Sequence, residues 1–206
     1  MYEHALMRDR GSTNDTNLQV MRDDSTNYTA SPYAYGSGHV HPQRATDPGL
    51  IYDIAPDDYL QFLCAMPYNQ SQKLIVTDDA AGCPATAMAT TAKDPARPED
   101  LNYPSFSAVF TKLDAAAAGG HGSWMTTYFT RTVTNVGPAK STYTASVDAP
   151  KNVTIVVSPS TLSFTKQNEK KSFTVTVTAL GTPDRSYGFL TWSDGSHKVQ
   201  SPITFV

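Results

Sequence analysis

Alternation of apolar and polar positions dominates the second half of this chain. Phe173, Val175 and Val177 stand between Thr174, Thr176 and Thr178, a period of two that puts the apolar set on one face of a strand. Tyr143, Ala145 and Val147 alternate in the same way, as do Val153, Ile155 and Val157, and Leu162 with Phe164 after Ser158-Pro159. Residues 105–110 and 126–136 read as two further strands, the second closed by Gly137-Pro138. Residues 187–192 and 198–205 flank Ser193-Asp194-Gly195-Ser196 and predict a hairpin. Seven to eight short strands separated by turn signals predict a mainly β fold, a β-sandwich over residues 99–206. Residues 113–123 are rich in Ala and Gly and predict a mobile loop between its first two strands.

The first half follows another pattern. Residues 1–34 are polar and irregular. Ala55-Pro56-Asp57-Asp58 is a helix start: proline suits the first helical position, and the carboxylates suit the positive end of the helix dipole. Tyr59, Phe62 and Leu63 then recur at i, i+3 and i+4. A second short helix is predicted over residues 71–76, and residues 84–98, rich in Ala, Thr and Pro, read as a linker. The expected division is therefore 1–98, with short helices and linker, and 99–206, the sandwich.

Composition narrows the function. Hydrophobic residues make up 39% and charged residues 17%, enough to bury a core. The net charge is −3 and the 16 basic residues are dispersed, so no nucleic-acid partner is expected. No apolar run approaches the roughly 20 residues of a spanning helix, and no membrane role is expected. Four N-x-S/T sequons, at Asn14, Asn27, Asn69 and Asn152, use four of the eight asparagines. The two cysteines, Cys64 and Cys83, read either as buried free thiols or as one disulfide, and the sequons favour the oxidised form and a secreted setting. The first residues lack the 7–15 apolar positions of a signal peptide. Sequons without a leader lead to the expectation of a missing N-terminus.

The chemistry-bearing residues crowd into YGSGHVHPQRATDPGLIYD, residues 35–53. Ser37, His39 and Asp47 are the residue types of a hydrolytic triad, but triads assemble in space from distant segments, and Gly36-Ser37-Gly38 is not a nucleophile elbow. The alternative is a turn, with glycines supplying unusual backbone angles. His39 and His41 form an H-x-H pair that needs further ligands to hold zinc; Asp47 and Asp53 are within reach in sequence, with no Cys/His cluster behind them. His121 and His197 are expected on the solvated surface. Trp124 and Trp192 read either as a sugar-stacking platform or, more simply, as core or rim of the sandwich. Lys166, Lys170 and Lys171 read as a solvated strand edge.

Taken together, the motifs resemble a known family. Tyr35-Gly-Ser-Gly-His39-Val-His-Pro42 and Ala45-Thr-Asp-Pro-Gly-Leu-Ile-Tyr-Asp53 are similar to the segment that follows the catalytic serine in plant subtilisin-like serine proteases (subtilases). The likeness continues through Asp58-Tyr59-Leu60, Phe62-Leu63-Cys64, Cys83, Leu101-Asn-Tyr-Pro-Ser-Phe106 and Arg131-Thr-Val-Thr-Asn-Val-Gly137. It ends with Val157-Ser-Pro159, Leu162-Ser-Phe164, Trp192-Ser-Asp-Gly195 and Ser201-Pro-Ile203. His41 stands where the family commonly has Asn and Ile51 where it has Val; Ala5-Leu6-Met7 matches a helix end that Arg8-Asp9-Arg10 departs from.

The resemblance implies a fibronectin-III-like sandwich over 99–206 and, over 1–98, a partial α/β remnant of the catalytic domain's C-terminal end. It implies a Cys64–Cys83 bridge, an extracellular location in the plant cell wall space, and a role bracing the catalytic domain in cis. Action in trans, on a subtilase or on wall glycan, is the alternative. The family's G-T-S-M-A nucleophile motif does not occur in the sequence, nor do the motifs carrying its catalytic aspartate and histidine and its oxyanion-stabilising asparagine. The resemblance therefore carries over no catalytic residue, cofactor ligand or metal ligand, and the chain is expected to be inactive alone. A helix stripped of sheet partners predicts apolar surface around Tyr59, Phe62 and Leu63.

Overall fold

The computed structural model describes residues 19–39, 41–69, 71–73, 83, 97–111, 118–119, 123–181 and 185–206. Ala5-Leu6-Met7, Asn14, His121, most of the 84–98 linker and most of the 113–123 segment lie outside them. Contacts gather the chain into two compact units, one joining the segment up to Tyr52 with Pro104–Val206, the other Asp53–Tyr103.

The first unit is a two-sheet β-sandwich. Its strands, among the described residues, are β1 (Leu50–Ile51), β2 (Phe106–Ala108), β3 (Trp124–Asn135), β4 (Thr142–Asp148), β5 (Val153–Ser158), β6 (Thr161–Ser163), β7 (Lys170–Leu180), β8 (Ser186–Ser193) and β9 (Lys198–Phe205). One sheet runs β1-β3-β7-β5 and the other β2-β9-β8-β4-β6. All pairings are antiparallel except β2 with β9. Eight of the strands fall within the region read as a sandwich, and the periods of two are what fill its core. From β7, Phe173, Val175, Val177 and Ala179 point inward and are buried; Leu190, Trp192, Ile203 and Phe205 oppose them from the other sheet. Phe173 meets Trp192 edge to face, with centroids 5.1 Å apart and planes at 67°, so one aromatic pair ties the two sheets. Arg131 is buried as well: its guanidinium lies 4.8 Å from the Phe106 ring centre and donates to the Thr130 and Ser105 carbonyls.

Two details refine the sequence reading. β7 is a central strand, between β3 and β5, but β5 pairs only with Thr174–Ala179 of it, so at Lys170 and Lys171 it is paired on the β3 side alone. Lys171 Nζ lies 3.2 Å from Glu169 Oε1 and over the Phe164 ring. And the chain's contacts divide elsewhere than between 98 and 99. Leu50, Ile51 and Tyr52 belong with the sandwich: Leu50 pairs with Asn135 and Ile51 with Thr134, and all three side chains are buried. A run of three apolar residues is too short to announce a strand, and its partner lies about eighty residues downstream.

The segment before Leu50 forms a strap on the sandwich. Two one-turn helices, α1 (Pro32–Tyr35) and α2 (Pro42–Ala45), each begin on a proline. Tyr33 pins α1 by donating to the Phe205 carbonyl at 2.8 Å, and Arg185 stacks on its ring at 4.5 Å. Tyr52 pins the far end, its hydroxyl 3.1 Å from Ser201 Oγ and its ring edge-on to Phe173.

The second unit is built on α3 (Pro56–Ala65). Asp58 Oδ2 reaches back to accept the Ala55 N–H at 2.7 Å, half of a capping box. A turn of helix at 71–73 is capped reciprocally, Asn69 Oδ1 accepting from Gln72 N and Gln72 Oε1 from Asn69 N. Cys64 and Cys83 are joined by a disulfide, with Cα atoms 5.7 Å apart and Leu60 packed on the bridge. Closing that loop removes chain entropy worth about 3 kcal/mol. Cys64 is the one α3 residue that is buried; Tyr59 stays 40% exposed, and Phe62 and Leu63 are half-buried.

Candidate functional site

The residues singled out at 35–53 do not assemble with one another. Ser37 is exposed, in a turn between Gly36 (φ +64°) and Gly38 (φ +98°), and His39 is exposed beyond it. His41 serves α2: its Nδ1 accepts the Arg44 N–H at 3.3 Å. Asp53 falls in the other compact unit, where Asn102 Nδ2 donates to its carbonyl at 2.9 Å. The two tryptophans also part: Trp192 is fully buried, while Trp124, at one end of β3, is 58% exposed.

Asp47 makes a contact that the sequence did not indicate. Its Oδ2 lies 3.2 Å from Nε2 of His197, and the other ring nitrogen, Nδ1, lies 2.8 Å from Oδ2 of Asp194. His197 was expected on the solvated surface; its side chain is 13% exposed, because the β8–β9 turn folds it under the strap. Asp194 sets that turn, its Oδ1 accepting the N–H groups of Ser196 and His197 at 2.9 and 2.6 Å. Gly49 lies against the same imidazole, and at φ +76° it turns the strap so that its carbonyl accepts from both Val136 N and Gly137 N. Tyr143 closes the cluster from β4, its buried hydroxyl beside Gly49.

The electrostatics follow from the two carboxylates. The hydrogen bond that Asp194 accepts from the ring raises the His197 pKa; burial pulls the other way, and Asp47 adds to the upward push. Burial alone would raise Asp194, but the hydrogen bonds from His197 and Ser196 outweigh it and hold the carboxyl below its ordinary value. Burial, with the negative charge of Asp194 and Asp47, pushes the Tyr143 phenol far up, so it stays protonated. With both ring nitrogens facing carboxylates, the imidazole has no edge left to activate a hydroxyl as a general base. The arrangement is a clasp that holds the strap to the sandwich.

A pH dependence results. His197 has a raised folded pKa, so its contribution is fully present below the unfolded value, about 6.5, and is lost as pH rises through the folded value. Asp194 has a depressed folded pKa, so its contribution is lost only as pH falls through that lower value. The chain is expected to lose about 1 kcal/mol between pH 6 and pH 9, or about 2–4 °C in Tm, and His197→Gln is expected to flatten that slope. Thermal melts at several pH values check this; equal slopes in both proteins would remove the clasp.

The two-sheet, mainly antiparallel sandwich is that of a fibronectin-III-like module. The profile of the fibronectin type-III domain family matches residues 100–205, and the chain belongs to that family. Over nearly its whole length it is also similar to plant subtilisin-like proteases. It is 39% identical over 197 residues to subtilisin-like protease SBT1.5 of Arabidopsis thaliana, covering 93% of this chain and 24% of that one. It is 39% identical over 194 residues to SBT3 of Solanum lycopersicum, covering 92% and 23%, and 42% identical over 192 residues to SBT4.11 of Arabidopsis thaliana, covering 91% and 24%. The chain thus spans about a quarter of the length of these relatives, and the fibronectin type-III match takes up residues 100–205 of it. Among solved structures, a FixG-related protein from Vibrio parahaemolyticus aligns over 47% of this chain and 86% of that one, at 15% identity and a TM-score of 0.34.

Proposed function

We propose that this chain is the bracing portion of a subtilisin-like serine endopeptidase: it holds the end of the catalytic domain and performs no peptide hydrolysis itself. The observation that carries this reading is the strap. The segment that resembles the family's exit from the catalytic domain is fixed to the sandwich by Tyr33, Asp47, Leu50, Ile51 and Tyr52, with partners on β3, β8, β9 and the β8–β9 turn. A catalytic domain joined to such a strap has its chain end immobilised, which lowers the entropy it gains by fraying. The setting proposed is extracellular, with the exposed sequon residues Asn27, Asn69 and Asn152 available to carry glycans.

The test removes the matching quarter from SBT1.5 and, separately, replaces it with this chain. Deletion is expected to abolish secreted activity or lower the inactivation temperature, and the replacement to restore part of it. A deleted enzyme as active and heat-resistant as the intact one would overturn the reading. Purified chain alone is expected neither to cleave casein nor to label with a fluorophosphonate.

A further inference from the structure

The outer face of the β1-β3-β7-β5 sheet has a composition unusual for exposed surface. Four large apolar side chains stand out of it: Trp124 is 58% exposed, Val156 55%, Tyr128 44% and Leu180 36%. Registry places Trp124 opposite Leu180, and Tyr128 beside Thr176, which in turn neighbours Val156. The outward positions between them are hydroxyls. Thr126 and Thr178 are hydrogen-bonded across β3 and β7 at 3.0 Å, and Thr132 with Ser172 at 2.8 Å. From Trp124 to Thr132, from Ser172 to Leu180, and from Thr154 to Ser158, no outward position carries a charge; the first is Lys170, at the far end of β7.

Exposed sheet faces are ordinarily kept soluble by charge, and an uncharged face with protruding aromatics marks an interaction surface. Its chemistry selects the partner. Aromatic rings stack on the C–H faces of pyranose rings, and rows of hydroxyls exchange hydrogen bonds with sugar hydroxyls without a charge to desolvate. Trp124 and Tyr128 are four residues apart on one strand, about 13 Å, the reach of a short oligosaccharide lying along the strand. The absence of cationic side chains disfavours polyanions, which need them.

We infer that this face binds a neutral polysaccharide chain, laid along β3 over Trp124 and Tyr128. The site is separate from the strap, so its failure would leave the bracing reading standing. The test is retention of the full chain on microcrystalline cellulose and insoluble xylan, with polygalacturonate gel as the anionic control. Retention on a neutral polymer is expected, unaffected by raising salt. Trp124→Ala and Tyr128→Ala are each expected to weaken it about tenfold, and Trp124→Ala to leave the melting temperature unchanged, since that indole projects into solvent. No retention on either neutral polymer would overturn the inference. So would retention that both variants leave intact, equal retention on polygalacturonate, or sedimentation showing that Trp124 mediates self-association instead.

Discussion

Replacing Trp192 by alanine is expected to cost the sandwich about 3–5 kcal/mol. The indole is fully buried and spans the two sheets through its edge-to-face contact with Phe173. Removing it leaves a cavity between two sheets, each stiffened by its own hydrogen-bond ladder and held apart by the remaining core side chains, so the site collapses only in part. Phenylalanine at the same position is expected to cost only about 1 kcal/mol. It keeps a ring against Phe173, and it removes an indole N–H that is buried with no hydrogen-bond partner, a liability of about 1–3 kcal/mol. Chemical denaturation followed by circular dichroism checks both variants. Fluorescence supplies a second readout: without Trp192 the remaining emission comes from exposed Trp124 and should barely change on unfolding. A Trp192→Ala loss below about 1 kcal/mol would show that the sheets close over the gap.

What the sequence disclosed and what it hid divide along a physical line. The sandwich strands were legible because each buries one face, and burial of one face writes a period of two into the chain: Phe173, Val175 and Val177 could belong to nothing else. Helix α3 was legible from its proline start and its i, i+3, i+4 apolar set. The turn character of residues 36–49 was legible from the glycines, and Gly36, Gly38 and Gly49 all have positive φ. The pairing of Leu50 and Ile51 with β3 was hidden, since a two-residue strand has no period and its register is written in a distant partner. So was the clasp. Asp47 and His197 are 150 residues apart, and neither sits in a local pattern that chemistry requires. A signal did exist at one end: Asp194-Gly195-Ser196-His197 is an Asx turn in which the aspartate must receive the next N–H groups. That places His197 beside a carboxylate and argues against a freely solvated ring. The same hidden contact explains why the Asp47-Pro48-Gly49 segment is held to the sandwich.

Gly49 is where that tightness becomes measurable. Its φ of +76° lies where a Cβ costs about 1–2 kcal/mol, and a Cβ built there would fall 2.5 Å from Tyr143 Oη and 2.8 Å from Cβ and Cγ of His197. Relieving either clash moves a buried ring or lifts the strap, which adds about 1–3 kcal/mol. Gly49→Ala is therefore expected to destabilise the chain by about 2–5 kcal/mol. Gly36→Ala carries a backbone cost alone: φ is +64°, ψ is −119° and nothing lies within 4 Å of the added methyl, so about 1–3 kcal/mol is expected. Tyr143→Phe isolates the clash. Its hydroxyl is buried without a well-formed hydrogen bond, so the change alone should be nearly neutral, whereas in the Gly49→Ala background it removes the atom closest to the new methyl. The double variant is expected to recover about 1 kcal/mol, a coupling that a double-mutant cycle reads directly. If Gly49→Ala relaxes by lifting the strap, Asp47 leaves His197 and the stability slope between pH 6 and pH 9 shrinks. If Tyr143 and His197 move instead, the slope persists while the loss in stability remains. Gly49→Ala as mild as Gly36→Ala would show that the strap is not pressed against the β8–β9 turn at all.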